Sequence, residues 1–271
     1  MDSRLVSDAT IIANLALDRV DGGGWTPGGC PTFAQPAFSI MDAAGALVTS
    51  CGAQDQGLFE GVFGDGVDVQ LITGAATTRF AIDYTGDDRT MVLHGIGHSW
   101  TPADIAGLRI ESEWVHLAPL TRADFPVATV AALAAEHRVS YDGQGLVRRP
   151  QVGPLAVDAE YDPELLAHLS VLKLADDEAQ IVGGGAAAAQ IAQRLGVPEV
   201  IFSHGSRGAE LYCNGEMAAL EPGHVCTGNV TGAGDTLMTA YIVARQRGRD
   251  PGQATREAMT VVETVLEGRQ G

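Results

Sequence analysis

Lysine is almost missing from this sequence: Lys173 stands alone, and all but one of the 17 basic residues are arginine. Against them stand 34 acidic residues, for a net charge of -17. A chain so acidic repels phosphodiester backbones and anionic headgroups, which argues against nucleic acid and membrane as partners. Cysteine is sparse too. Cys30, Cys51, Cys213 and Cys226 show no paired spacing, so neither a zinc module nor a disulfide framework is encoded. They read as reduced thiols, and the expected location is the cytoplasm. Long apolar runs are absent: Val127 to Ala135, among the longest, falls well short of the roughly 18 residues of a membrane span. Met1 to Ser7 lacks a basic-then-apolar pattern, so nothing argues for export. What is present is 45% hydrophobic residues over 271 positions, an ordinary globular composition that one domain can hold.

The most informative stretch is residues 229–242, Asn-Val-Thr-Gly-Ala-Gly-Asp-Thr-Leu-Met-Thr-Ala-Tyr-Ile. Gly232, Ala233 and Gly234 allow a tight turn with uncovered backbone N–H groups, and an apolar periodic run follows. A helix starting there points the positive end of its dipole at the turn, which makes an anion site. Asp235, in the first helical turn, is placed to take a proton from an attacking hydroxyl. Those parts suit phosphoryl transfer, which needs positioning and charge stabilisation. The plainer reading is a tight turn with ordinary capping chemistry.

The full stretch resembles the C-terminal signature of the ribokinase-like (PfkB) carbohydrate kinases, Asp-Thr-x-Gly-Ala-Gly-Asp, departing only at Asn229. The resemblance implies a three-layer αβα sandwich with a mostly parallel central sheet and a small β-lid, as a single domain over residues 1–271. Lid strands are expected within 10–30 and 74–98. It further implies Asp235 as catalytic base, Gly232, Ala233 and Gly234 as anion hole, and ATP with Mg²⁺ as cofactors.

Other segments carry the resemblance further. Ala9 to Val20 reads as one buried strand ending near Asp18, where open α/β sheets bind ligands. In the family that Asp holds sugar hydroxyls, although the usual early Gly is Ala13 here. Gly28-Gly29 matches the family's Gly-Gly motif, where bare backbone admits a polyol, and Thr32 follows as a further substrate-binding candidate. Four residues after the second Gly, many members carry Asn; this chain has Phe33, which looks more like the branch containing plant myo-inositol kinases. The family's Asn-x-x-Glu falls on Ala175 and Glu178, so the acid is kept and the amide lost. Glu178 is expected to act on the magnesium and phosphates through water, its competing reading being a solvated charge in a helix's first turn. Lys173 lies just before that motif, as a candidate phosphate contact. Ser203, Gly205 and Gly208 resemble the family's nucleotide-contacting Thr-x-Gly-x-x-Gly turn, and Thr231 joins them in the cofactor set.

The remaining pattern alternates strands and helices, which implies βαβ crossovers. A hairpin is expected from Thr77–Tyr84 and Thr90–Gly95, helices over Pro31–Ala43 and Arg122–Glu136, and a plain loop over Gly143–Pro154. His94 and His98, split by Gly-Ile-Gly, do not make a helical metal pair. Gly183 to Ala189 lacks Gly-Lys-Ser/Thr and reads as a break between helices. The resulting expectation is an ATP-dependent kinase acting on a hydroxyl of a small polyol, sugar or nucleoside, an inositol first. A fructose- or ribose-type sugar kinase and a nucleoside kinase are the alternatives. A catalytically weak, kinase-shaped binding or regulatory protein is the rival of another class, supported by the departures at Phe33, Ala175 and Asn229. Lid-to-lid dimers occur in that family, so a homodimer stays open.

Overall fold

The computed structural model describes residues 7–64, 66–85, 88–223 and 230–269. Strand β1 (Ala9–Asn14) is buried at every position, as a central parallel strand must be. After Leu15 the chain enters a second strand, β2 (Ala16–Val20), which joins a different sheet. The single strand expected over Ala9–Val20 is therefore two. Both halves are apolar, so hydropathy could not mark the change of sheet. A short β3 (Thr26–Gly28) leads into helix α1 (Cys30–Ile40), which carries Pro31 in its first turn. Strands β4 (Gly45–Gly52), β5 (Val67–Gly74), β6 (Thr78–Thr85) and β7 (Asp88–Gly95) follow, the last two forming the expected antiparallel hairpin. One turn of helix, α2 (Pro102–Ala106), is capped by Thr101, which exchanges hydrogen bonds with Asp104.

Next come β8 (Trp114–Leu117), α3 (Val127–Ala134) and β9 (Arg138–Asp142). Helix α3 begins five residues later than the apolar pattern suggested. The buried Asp124 carboxylate accepts from the N–H groups of Leu120 and Thr121 and from the Asn14 amide, which holds that segment as a turn. The expected loop after β9 contains a helical turn, α4 (Gln144–Val147), and a two-residue strand, β10 (Gly153–Pro154). The chain then runs through β11 (Val171–Ala175), α5 (Asp176–Gly183), α6 (Ala188–Leu195), β12 (Glu199–Ser203), β13 (Ala209–Cys213) and β14 (Glu216–Leu220). Gly184 and Gly185, both at positive φ, separate α5 from α6. Two long helices finish it, α7 (Ala233–Gln246) and α8 (Pro251–Gly268).

Nine strands form the central sheet in the order β14-β13-β12-β11-β9-β8-β1-β4-β5, parallel from β12 to β5. Alternation along each strand divides the core. Ile11, Leu47, Val171 and Ile201 pack under α1, α7 and α8. Ile12, Val48, Leu172 and Val200 face α3, α5 and α6 on the other side. Nine consecutive residues of α7, Thr236 to Ala244, are buried, which fits a helix enclosed on all sides. A smaller sheet, β10-β7-β6-β2-β3, stands at the carboxyl ends of the parallel strands. Its inner face is Ala16, Phe80, Ile82 and Leu93. The result is a three-layer αβα sandwich with a small β-lid. Among the described residues no helix is long and apolar enough to cross a membrane, and Cys30, Cys51 and Cys213 are free thiols. Cys226 lies outside the described residues.

Candidate functional site

The turn before α7 is built around Gly232, whose φ of 79° is left-handed. A side chain there is excluded twice, because an added Cβ would stand 2.2 Å from the Phe33 ring. The Ala233 N–H closes the turn onto the Val230 carbonyl at 3.1 Å. The N–H groups of Gly232 and Gly234 have no backbone acceptor among the described residues. Those two donors, at the positive end of a 14-residue helix, have the chemistry to receive an anion. Asn229, at the head of the sequence motif, lies outside the described residues.

Two cavities meet at this turn, and Lys173, Ala175, Asp177, Val230, Ala233 and Gly234 line both. The first, about 380 Å³, runs under the small sheet. Asp18, Gly29, Cys30, Phe33, Phe80 and Arg148 line it, with Asp142, Glu178, Thr231, Gly232 and Asp235. Gly28 and Asp18 are neighbours across β2 and β3: a Cβ on Gly28 would fall 2.1 Å from an Asp18 carboxyl oxygen. Burial raises the Asp18 pKa to about 6 against the opposing pull of Arg148. Gly29, at φ 84°, brings bare backbone against Asn14. Thr32 lines neither cavity; its hydroxyl donates to the Gly28 carbonyl at 3.1 Å.

The second cavity, about 640 Å³, has a wall of Leu237, Met259, Val262 and Leu266 from α7 and α8. Ser203, Gly205, Ser206 and Gly208 form the opposite wall. Gly208 is obligatory there, since its φ is 97° and a Cβ would stand 2.2 Å from the Leu220 carbonyl oxygen. At the rim, Asp176 accepts from His204 Nδ1 and from the Arg207 guanidinium, each at 2.6 Å.

Charge at the junction is unbalanced. The Lys173 ammonium lies 3.3 Å from Asp142 and 3.7 Å from Glu178. A Cβ added to Gly234 would be 3.4 Å from its Nζ, so the cation sits against the turn before α7. Burial alone would lower the Lys173 pKa, but the carboxylates of Asp142, Glu178 and Asp235 outweigh it and raise it. Asp142 ends below the usual range: Lys173 and the Gln144 N–H overcome the burial that would raise it. Glu178 goes the other way, raised by burial despite Lys173, and accepts the Ala175 N–H at 2.8 Å. Asp235 is pushed up to about 7, by burial first and by Asp142 second, with Lys173 and the Cys30 thiol opposing. The Cys30 thiol donates to the Asp235 carboxylate, and its own pKa is raised by burial and by that carboxylate. An acid half-protonated near neutrality, beside an anion site and a cation, can exchange a proton with a bound hydroxyl. Among the described residues no three His, Cys, Asp or Glu side chains converge as a metal cage.

A model of the pfkB family of carbohydrate kinases matches residues 115–268, more than half of the chain. The chain belongs to that family. It is therefore a carbohydrate kinase, and the turn before α7 falls inside the matched span. No curated protein matches it by sequence. By structure, this pfkB kinase superposes on a pyrophosphate-dependent kinase in the ribokinase family complexed with a pyrophosphate analogue and myo-inositol. That pair has a TM-score of 0.83 at 22% identity, covering 96% of this chain and 95% of the other. Thermotoga maritima ribokinase gives 0.70 at 17% identity, over 96% and 99% of the two chains. Arabidopsis thaliana ribokinase complexed with ribose and ATP gives 0.68 at 19% identity, over 97% and 93%. At these identities the likeness is one of fold, and the fold is that of ribokinase.

The pfkB kinase sequence did not announce Asp142, Arg148 or the Cys30 contact. Asp142 had one signal, an acid at the carboxyl end of a parallel strand. Arg148 had none, because its Gly-, Arg- and Pro-rich segment carries no pattern that marks the helical turn beside the cavity.

Proposed function

We propose that this pfkB kinase transfers the terminal phosphoryl group of ATP to a hydroxyl of a cyclic polyol, an inositol before other sugars. The observation that carries the reading is the meeting of the two cavities at Gly232–Asp235. An acceptor held under the small sheet and a donor lying along α7 and α8 reach one carboxyl and one anion-binding turn. Asp235 accepts the proton of the attacking hydroxyl. The Gly232 and Gly234 N–H groups and Lys173 receive charge developing on the moving phosphoryl group. Asp18 and the Gly28–Gly29 backbone orient the acceptor. The wall of Leu237, Met259, Val262 and Leu266 suits a flat apolar base, and Ser203, Gly205 and Gly208 complete the donor contacts, whereas Thr231, expected with them, lines the first cavity. Magnesium binds through one or two carboxylates plus substrate phosphates and keeps several waters. Glu178 and Asp177, at the junction without a preformed cage, fit that mode. When bound, the ion neutralises phosphate charge in a site rich in carboxylates.

A second reading concerns the donor. A structural relative with both a pyrophosphate analogue and myo-inositol is a pyrophosphate-dependent kinase, which makes inorganic pyrophosphate the competitor to ATP. One experiment separates them. The purified protein with magnesium is offered ATP or pyrophosphate, each against inositols, ketoses, ribose and nucleosides. Transfer from ATP to an inositol supports the reading. Turnover with pyrophosphate alone replaces the donor, and turnover of a nucleoside alone replaces the acceptor. Donor binding without transfer to any acceptor favours the kinase-shaped binding protein.

A further inference from the structure

Phe33 and Arg269 lie far apart in the chain and meet at one peptide unit. Arg269, which caps the end of α8, donates from Nη1 to the Thr231 carbonyl at 2.7 Å. Its guanidinium carbon sits 5.7 Å from the centre of the Phe33 ring. That ring fills the space a side chain on Gly232 would need. The Phe33 carbonyl in turn accepts from the Thr236 hydroxyl on α7 at 3.3 Å, which ties the ring's backbone to the helix after the turn.

The Thr231 carbonyl and the Gly232 N–H belong to one amide. In a trans amide the two groups point in opposite directions. A cation fixed on the oxygen therefore holds the N–H aimed away from Arg269, along the cavity that Thr231 and Gly232 line. Gly232 has no side chain to resist rotation of this peptide, so some other group must fix it. The charge has a second effect. A hydrogen bond from guanidinium to carbonyl polarises the amide and strengthens its N–H as a donor.

We propose that Arg269 is a positioning residue for phosphoryl transfer: seated on the Phe33 ring, it orients and polarises the Thr231–Gly232 amide so that the Gly232 N–H meets the phosphoryl group. This rests on the kinase reading above for the identity of the anion. It gives Phe33 a role that the family's usual Asn at that place would not fill, as the platform for the guanidinium and the stop for the turn.

The test uses the full chain and Arg269→Ala, with two readouts. The first, needing no substrate, is the Gly232 amide resonance in ¹⁵N-labelled protein, which should move in the variant while the folding transition stays put. The second is turnover. The variant should lose about 10-fold in kcat, the scale of one charged hydrogen bond, with KM for the acceptor unchanged, and millimolar guanidinium ion should restore part of the loss. An unmoved Gly232 resonance overturns the proposal, as does full turnover in the variant or a loss that guanidinium does not relieve. If the unaltered protein transfers phosphate to no acceptor, the kinase reading falls, and the Gly232 resonance alone decides the role of Arg269.

Discussion

The central sheet buries a charged cluster at each end, and the two follow opposite rules. Where β12 begins, Glu199 meets the Arg245 guanidinium at 2.7 Å and the Tyr241 hydroxyl, while Arg245 stacks on Trp114 at 4.9 Å. One carboxylate faces its own donors there. Where β11 ends, Lys173 faces Asp142, Glu178 and Asp235 at once. Burial, with three acids sharing one ammonium, leaves two of them raised: Glu178, and Asp235 at about 7, while Asp142 is lowered. The first cluster locks α7 to the sheet. The second leaves a proton in play beside a cavity, so burial acting on an unbalanced set of charges separates it from the first.

Substitutions on the two clusters should separate turnover from stability. Asp235→Asn carries the largest expected effect, a loss of about 10²- to 10⁴-fold in kcat. Its stability should move the other way. A buried acid with a raised pKa holds its proton more tightly folded than unfolded, so its ionisation costs stability as pH rises from the usual Asp range to about 7. The Asn variant is therefore expected to melt higher than the original at pH 8 and to lose that advantage near pH 4. Lys173→Met should follow, costing about 10²- to 10³-fold in kcat by removing the cation from the anion-binding turn. It should also shift the pH profile of any residual activity upward, because Lys173 lowers the Asp235 pKa. Arg245→Met is the contrasting change. It strands the Glu199 carboxylate and should cost about 3 kcal/mol in denaturant unfolding, a buried pair being broken, while kcat at 25 °C is unaltered. Equal losses of turnover from Arg245→Met and Lys173→Met would erase the distinction.

The sequence showed these ends unequally, for physical reasons. The Gly232–Asp235 turn was legible because its parts are contiguous: the residues that bend the chain, expose the N–H groups and supply the carboxyl follow one another. Lys173 stood out by rarity. Asp142 did not, since its partner lies 31 positions away and only the pairing of β9 with β11 brings them together. The bend at Leu15 was invisible because β1 and β2 are both apolar. Phe33 read as a lost sugar contact, and only the closeness of its ring to Gly232 reveals what it packs against.

The claim on which all this depends is that Asp235 is a base with a pKa near neutrality. Its most direct test is the dependence of kcat/KM on pH, measured from pH 5 to 9 with the accepted donor and acceptor. The account predicts a rise of about tenfold per pH unit on the acid side, levelling above a midpoint near 7. A profile flat from pH 5 to 8, or one with its midpoint at the ordinary aspartate value near 4, would contradict it.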